Sequence, residues 1–147
     1  MRKQYFLLVF ILLFSIKNFA QKNSNSAADK NIAVFFKTFQ SAVKSGDKNK
    51  IKALCDFTFM EEGGFDDYFR YMLSGEIKDK IVKAKRKDLK KADFQEFEGI
   101  DNAKDFYILN FYESSTSDDG EFYESSFVFY FAKINGSYRL FNMIAGG

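Results

Sequence analysis

The side chains that most often perform catalysis are scarce in this chain. The sequence has no histidine and a single cysteine, Cys55. Histidine is the commonest general base and metal ligand, so its absence excludes Ser-His-Asp and Cys-His catalysis and histidine-based zinc hydrolysis. A lone cysteine cannot form an internal disulfide, and we expect a buried, inert thiol. Carboxylate, tyrosine or lysine chemistry stays open, but we assign no catalytic residue, metal or cofactor.

Two acidic clusters could in principle support acid–base chemistry or cation binding. Their spacing lacks the alternating ligands and the closing glutamate of an EF-hand loop. Acids at a helix N-terminus, where the helix dipole favours negative charge, explain the first cluster, and a polar loop explains the second. We therefore predict a metal site in neither. The clusters are Glu61, Glu62, Asp66 and Asp67, and Asp118, Asp119, Glu121 and Glu124.

The first twenty residues have the composition of a secretion signal. Arg2 and Lys3 precede an apolar run over residues 5–16, and a polar exit ends at Ala20. The run has about a dozen residues, fewer than the roughly 20 that a membrane-spanning helix needs. We predict cleavage after Ala20, export to the periplasm or beyond the cell, and no membrane span in the mature chain. Losing Arg2, Lys3 and Lys17 changes the net charge from +2 to −1, which argues against nucleic acid as a partner.

The rest of the chain is expected to form one domain with helices first. Residues 21–30 are polar and predict a flexible leader, and residues 31–147 have the length of a single domain. Apolar residues recur at helical spacing over 31–44, 47–55 and 65–73, which predicts three helices. Asp47 is the expected N-cap of the second helix. The lysine-rich stretch Glu76–Lys91 predicts a fourth helix, on the surface.

The second half of the chain has the pattern of strands, because aromatic and β-branched residues dominate it. The predicted strands are Asp93–Glu98, Asp105–Glu113, Phe122–Ile134 and Ser137–Ile144, with a loop at Ser114–Gly120. The fold class that we predict is α+β, with N-terminal helices packed on a curved antiparallel sheet of about four strands.

The last hairpin predicts a register and two apolar faces. Asn135-Gly136 is the preferred two-residue turn, which pairs Phe131 with Leu140 and Phe129 with Asn142. Phe129 and Phe131 then lie on one face, and Tyr130 lies on the other. A sheet that is apolar on both sides needs cover on both. Helices can cover one face, and we expect the chain's own curvature, a ligand or, preferably, a second copy in a homodimer to cover the other.

The order of elements resembles a known superfamily. The long first helix, the Ser45-Gly46-Asp47 break and the hairpin FYFAKINGSYRLFNMI at Phe129–Ile144 are similar to those of the nuclear transport factor 2-like proteins. This superfamily is also called the cystatin-like cone fold, and the likeness is to its small secreted bacterial members of unknown role. It implies a sheet wrapped around helices to leave a conical pocket, in which some members place catalytic Asp, His or Tyr. The histidine positions have no match here, so no catalytic role carries over.

Polar side chains among apolar neighbours are the best candidates for a binding site. Asn110 and Asn142 lie in predicted strands, and a buried amide must find a hydrogen-bond partner. If a pocket exists, such amides and nearby tyrosines would orient a ligand among phenylalanine rings. The candidate ligand-binding residues are Phe36, Tyr68, Asn110, Tyr112, Phe129, Tyr130 and Asn142.

The function predicted from these patterns is an exported, non-enzymatic domain that binds a small apolar ligand or a protein partner. Two alternatives from other classes stay open. An isomerase or lyase would need a buried carboxylate and a tyrosine inside the cone. A polyanion-binding protein would use the lysines of residues 78–91, and its binding would depend strongly on salt. Acids at Glu76, Asp79 and Asp88 interrupt that lysine face.

Overall fold

A computed structural model describes residues 31–58, 60, 64–73, 75–92, 102–116 and 118–146. The predictions of a signal peptide, a leader and a strand at Asp93–Glu98 lie outside these residues. The chain divides into two compact units, Met1–Val34 and Phe35–Gly147. In the first unit the described residues, 31–34, are helical. The contacts given below are those of the second unit.

Four α-helices precede the sheet in the described part of the chain. Residues 31–45 are helical (α1), and α2 at Lys48–Lys52, α3 at Phe65–Met72 and α4 at Gly75–Lys83 follow. The predictions for α1 and α3 are confirmed. α1 ends at Gly46, whose φ of +67° lies in the left-handed region that glycine adopts without a steric penalty.

Asp47 is the N-cap of α2, as predicted, but the helix is shorter than expected. The Asp47 carboxylate accepts a hydrogen bond from the backbone N–H of Lys50 at 3.1 Å, and this bond lowers the pKa of Asp47. The helix ends at Lys52 instead of Cys55. The chain there pairs with the sheet, because the Leu140 N–H donates to the Leu54 carbonyl at 3.0 Å. Pairing with a distant strand prevails over the helical period of the sequence.

The single lysine-rich helix predicted over Glu76–Lys91 is wrong. α4 stops at Lys83, a 3-10 helix follows at Arg86–Asp88, and a short strand occupies Lys90–Lys91. The lysines of this stretch are therefore distributed over three elements instead of one helical face.

Hydrogen bonds from two side chains, Gln40 and Asp88, stabilise the chain where α4 ends and the 3-10 helix begins. The Gln40 Nε2 atom, on α1, donates to the carbonyl oxygens of Ile81 and Ala84, both at 2.8 Å. These bonds satisfy carbonyls that a helix C-terminus leaves without partners. The Asp88 carboxylate accepts from the Lys85 N–H at 2.7 Å and closes the 3-10 turn. Gln40 is distant in sequence, which explains why local periodicity did not predict this helix end.

The sheet has the strand order β1-β2-β3-β4, and all neighbours are antiparallel. The strands are Lys90–Lys91 (β1), Ala103–Thr116 (β2), Phe122–Ile134 (β3) and Ser137–Gly146 (β4). β3 has the predicted bounds, and β2 and β4 extend beyond theirs. The predicted α+β class is confirmed.

The hairpin between β3 and β4 forms as predicted near its turn. Asn135 and Gly136 have φ values of 48° and 85°, which suit the two-residue turn that matches the twist of the strands. Phe131 pairs with Leu140, as the turn requires.

The register shifts between Tyr130 and Phe131, so the predicted pairing of Phe129 with Asn142 is wrong. Phe129 pairs with Met143, and Tyr130 pairs with Asn142. A β-bulge has added one residue to β4 here. Asn142 consequently joins Tyr130 on one face, and Met143 joins Phe129 on the other.

The face that bears Phe129 and Phe131, which we call the inner face, lies against α1. The Phe131 ring contacts the rings of Phe35, Phe36 and Phe39 edge-on, with centroids 6.0, 6.2 and 5.4 Å away. Phe36, Phe39, Phe129 and Phe131 are buried. This part of the interior is filled by aromatic rings, which supply apolar burial together with favourable edge-to-face geometry.

The opposite face, which we call the outer face, is covered at the end that holds the Asn135-Gly136 turn. A buried cluster of Phe106, Ala132, Ile134 and Phe141 lies there, and the Phe106 and Phe141 rings meet edge-on at 5.9 Å. The prediction that the last hairpin is apolar on both faces is confirmed for this end.

None of the described helices has the length and hydropathy needed to cross a membrane.

Candidate functional site

The other end of the outer face is open, and it is the candidate functional site. Cross-strand partners share a face of the sheet, so the register defines rows across the strands. Tyr130 lies between Ile108 and Asn142. In the next row, Val128 lies between Asn110 and Ile144. We call this surface the open half; its members are Asn110, Tyr112, Phe122, Val128, Tyr130, Asn142 and Ile144. Tyr130 lies at its boundary and packs against the covered cluster.

Large apolar side chains are exposed on this surface. Tyr112 is 58% exposed and Ile144 46% exposed, and Phe122, on the same face of β3, is 63% exposed. Ala132, on the same face of the same strand, is fully buried at the covered end. Along β3 the outer face therefore changes gradually from buried at Ala132, through half-buried positions at Tyr130, Val128 and Ser126, to exposed at Glu124 and Phe122.

The structure brings four of the seven predicted site residues together. Asn110, Tyr112, Tyr130 and Asn142 lie on the open half. The other three lie elsewhere: Phe36 and Phe129 are buried on the inner-face side, and Tyr68 is half-buried on α3. Alternation along β3 separates Phe129 from Tyr130, so the seven residues do not line a common pocket.

The two asparagines are less buried than the sequence suggested. Asn110 is exposed, and Asn142 is half-buried. The expectation that Asn110 is a buried amide is wrong, because β2 turns this position outward. The Asn142 Oδ1 atom accepts a hydrogen bond from the Met143 N–H at 2.9 Å. Asn142 thus satisfies a backbone donor of β4.

Tyr112 is coupled to the acidic end of the β2–β3 hairpin. Its hydroxyl donates to a carboxylate oxygen of Glu124, and this bond raises the pKa of Tyr112. The phenol is neutral at physiological pH, as an ordinary tyrosine is, and its ring lies beside a negative group. Residues 112–126 contain five acids and no base, so this end of the sheet carries negative charge.

Three contributors to the open half were absent from the predicted site: Val128, Ile144 and Phe122. Alternation along β3 predicts that Val128 and Tyr130, two residues apart, lie on the same face of the sheet. The register without a bulge, which pairs Phe129 with Asn142, also places Ile144 on the face of Phe129, and the sequence gives no signal, such as a glycine, for the bulge in β4. The sequence predicts Phe122 as the first residue of a strand but does not predict on which face of the sheet it lies.

The described residues hold no arrangement typical of a catalytic or metal centre. No buried side chain among them is charged, and the buried hydroxyl groups are those of Tyr107 and Tyr138; the described residues contain no group of three metal-ligating side chains. In the first acidic cluster, the Asp66 carboxylate forms an ion pair with the Lys48 ammonium at 2.5 Å, which lowers the pKa of Asp66. This acid is paired near the start of α3, in agreement with the helix-terminus explanation.

Cys55 is half-buried, less than expected, but its surroundings disfavour the thiolate. Its Sγ donates to the Ile51 carbonyl at 3.3 Å, and burial raises the pKa of the thiol from 9.0 to about 12. The folded state therefore prefers the neutral thiol. The stability that this preference contributes is complete below pH 9.0 and is lost as the pH rises towards 12.

We expect iodoacetamide at pH 8 to alkylate Cys55 about a thousandfold more slowly in the native protein than in urea, because the thiolate is the reactive form. Mass spectrometry of timed samples measures both rates. A native rate within about tenfold of the unfolded rate would contradict the assignment of a protonated thiol.

The fold and this site define a small α+β protein in which one sheet face is half covered and half open. Comparison of the chain with protein-family models, curated proteins and solved structures finds no match.

Proposed function

We propose that this chain is an exported binding protein without catalytic function, and that the open half of the outer face binds a protein surface. The observation that carries the proposal is the exposure of Tyr112, Phe122 and Ile144 on one face of the sheet. Ile144 and Tyr112 lie in adjacent rows, and Phe122 lies two rows beyond Tyr112, past Ser114 and Glu124. Large apolar side chains that stay exposed on one face of a folded domain are typical of association surfaces.

The composition of the open half suits a protein partner. Protein interfaces are enriched in tyrosine and combine apolar contact area with hydrogen-bonding groups around it. Here Val128 and Ile144 supply apolar area, and Asn110 and Tyr112 supply an amide and a hydroxyl. The exposed surface follows three strands of a sheet, which hold these groups in fixed relative positions.

The other functions considered from the sequence have less support. A small apolar ligand between helices and sheet would need space that Phe131 and the α1 phenylalanines occupy. An isomerase or lyase would need a buried acid, and the described residues supply none. For polyanion binding, Lys80 forms an ion pair with Glu113, and the lysines of this stretch lie on separate elements.

A second copy of the chain is the partner that we propose first. A two-fold interface joins the same patch on both subunits. Lys90 pairs with Ile108 and so lies in the row at one end of the open half, whereas Glu124 lies near the other end. If the two-fold axis lies in the interface and perpendicular to the strands, the positive end of each copy lies over the negative end of the other. Charge complementarity therefore favours antiparallel stacking of the two faces.

We expect Ile144→Lys to weaken the homodimer at least about tenfold, because the change replaces an apolar side chain that the proposed interface would bury with a charged one. Light scattering coupled to size-exclusion chromatography, over a dilution series, measures the dissociation constant. Tyr71→Lys is the control, since Tyr71 is also a large side chain, 66% exposed, but lies on α3.

Wild-type protein that is monomeric throughout the dilution series would refute the homodimer. Equal effects of Ile144→Lys and Tyr71→Lys would refute the assignment of the dimer to the open half. Added salt should weaken the dimer, because the opposed charges at its ends would be screened.

A further inference from the structure

A groove between α1 and the segment around α2 is not part of the open half. Its volume is about 610 Å³, within the range of roughly 300–1,000 Å³ that small-molecule sites occupy. α1 contributes Lys37, Ser41 and Ala42, and the segment opposite contributes Lys50, Ala53 and Leu54. Its lining residues all precede the sheet in sequence.

The groove has one sign of charge. Two lysines and three hydroxyl side chains line it, and no carboxylate does. Asp47 lies next to it, with a carboxylate oxygen 3.2 Å from the Lys50 ammonium. Lys37 belongs to the opposite wall and is exposed. An anion in the groove would therefore be attracted by the exposed Lys37, and by Lys50 in competition with Asp47. Ser41, one helical turn from Lys37, adds a hydroxyl donor.

The remaining lining is small and apolar. Ala42 is buried, Leu54 is half-buried and Ala53 is exposed. The alanine side chains leave room beside the helices that a longer residue would fill, and Leu54 adds apolar area. An apolar surface with cations beside it is complementary to a molecule that joins an anionic group to an apolar chain.

We propose that this groove binds a small anionic amphiphile, a carboxylate on a short apolar chain. The carboxylate lies between the Lys37 and Lys50 ammonium groups, and the chain lies along Ala42, Ala53 and Leu54. This site is independent of the proposed protein-binding surface, so it does not depend on the oligomeric state.

Octanoate is the probe that tests the proposal, because it has both parts of the expected ligand. We expect saturable amide shifts in the lining residues of the ¹⁵N-labelled protein, and no saturable binding of acetate or octyltrimethylammonium. Acetate lacks the chain, and the cation has the wrong charge. If octanoate does not saturate, or if the cation binds equally well, the proposal is wrong.

Two kinds of variant locate the site. Lys37→Gln combined with Lys50→Gln should weaken octanoate binding at least tenfold, whereas Lys83→Gln combined with Lys87→Gln, at exposed lysines elsewhere, should not. Ser41→Trp should abolish binding by filling the groove from an exposed position. Unchanged binding in both groove variants would overturn the assignment. Octanoate should still bind to Ile144→Lys, which separates this proposal from the proposed dimer.

Discussion

Replacing Phe131 with alanine is expected to lower the free energy of unfolding by about 3–5 kcal/mol, the usual cost of removing a buried phenylalanine ring. Phe131 is fully buried and contacts three phenylalanine rings of α1. The truncation would leave a cavity between the helix and the sheet. Urea unfolding followed by circular dichroism measures the change.

Phe122→Ala is the matched control, because it removes the same ring from the same strand at a position that is 63% exposed. In monomeric protein its cost should be within about 0.5 kcal/mol of zero, as for other surface substitutions. Similar costs for the two variants would contradict the assignment of Phe131 to the core between α1 and the sheet.

The second large effect concerns the boundary on the outer face. Ala132→Lys should destabilise the protein by about 4 kcal/mol or more, since it would place an unpaired charge where the side chain is fully buried. Ser126 lies on the same face of β3, at the open end, and is half-buried. Ser126→Lys should therefore cost far less, and the urea midpoints of the two variants compare them directly.

This pair of substitutions tests the division of the outer face into a covered and an open end. If Ala132→Lys is tolerated, the covered end is not a closed core. If Ser126→Lys costs as much, the open half is not exposed, and the proposed binding surface would lose its main support.

The parts of the fold that were predictable are those that local sequence determines. Asp47 is an N-cap because its carboxylate reaches the backbone N–H of Lys50 within the same turn. Asn135-Gly136 forms a tight turn because both residues tolerate positive φ. β3 follows from an uninterrupted run of aromatic and β-branched residues.

The parts that were not predictable depend on contacts between distant residues. The second helix stopped early because Cys55 pairs with Leu140 of β4: the Leu140 N–H donates to the Leu54 carbonyl, and the Asp56 N–H donates to the Leu140 carbonyl. The lysine-rich stretch divided into three elements, since Gln40 and Asp88 end its helical path. Periodicity within a short window contains no information on such partners.

The candidate site was recovered in part for a related reason. Alternation correctly separates Tyr130 from Phe129 along β3, but the sequence alone did not show which face stays open. The bulge then moved Asn142 and Ile144 to the face of Tyr130. A single additional residue in one strand thus changed the composition of the surface that we propose for binding, because a shift of one position reverses the side-chain pattern of a strand.

The hydrogen bonds of Gln40 also bear on the order in which the chain folds. Its side chain amide bonds to the last turn of α4 across 41 to 44 residues of sequence. A helix of nine residues is too short to be stable in isolation, since about 12–15 residues are needed even in favourable sequences. We therefore expect the final turn of α4 to become stable only when α1 is docked, so that the two helices are protected from hydrogen exchange together although α2 and α3 lie between them in the chain.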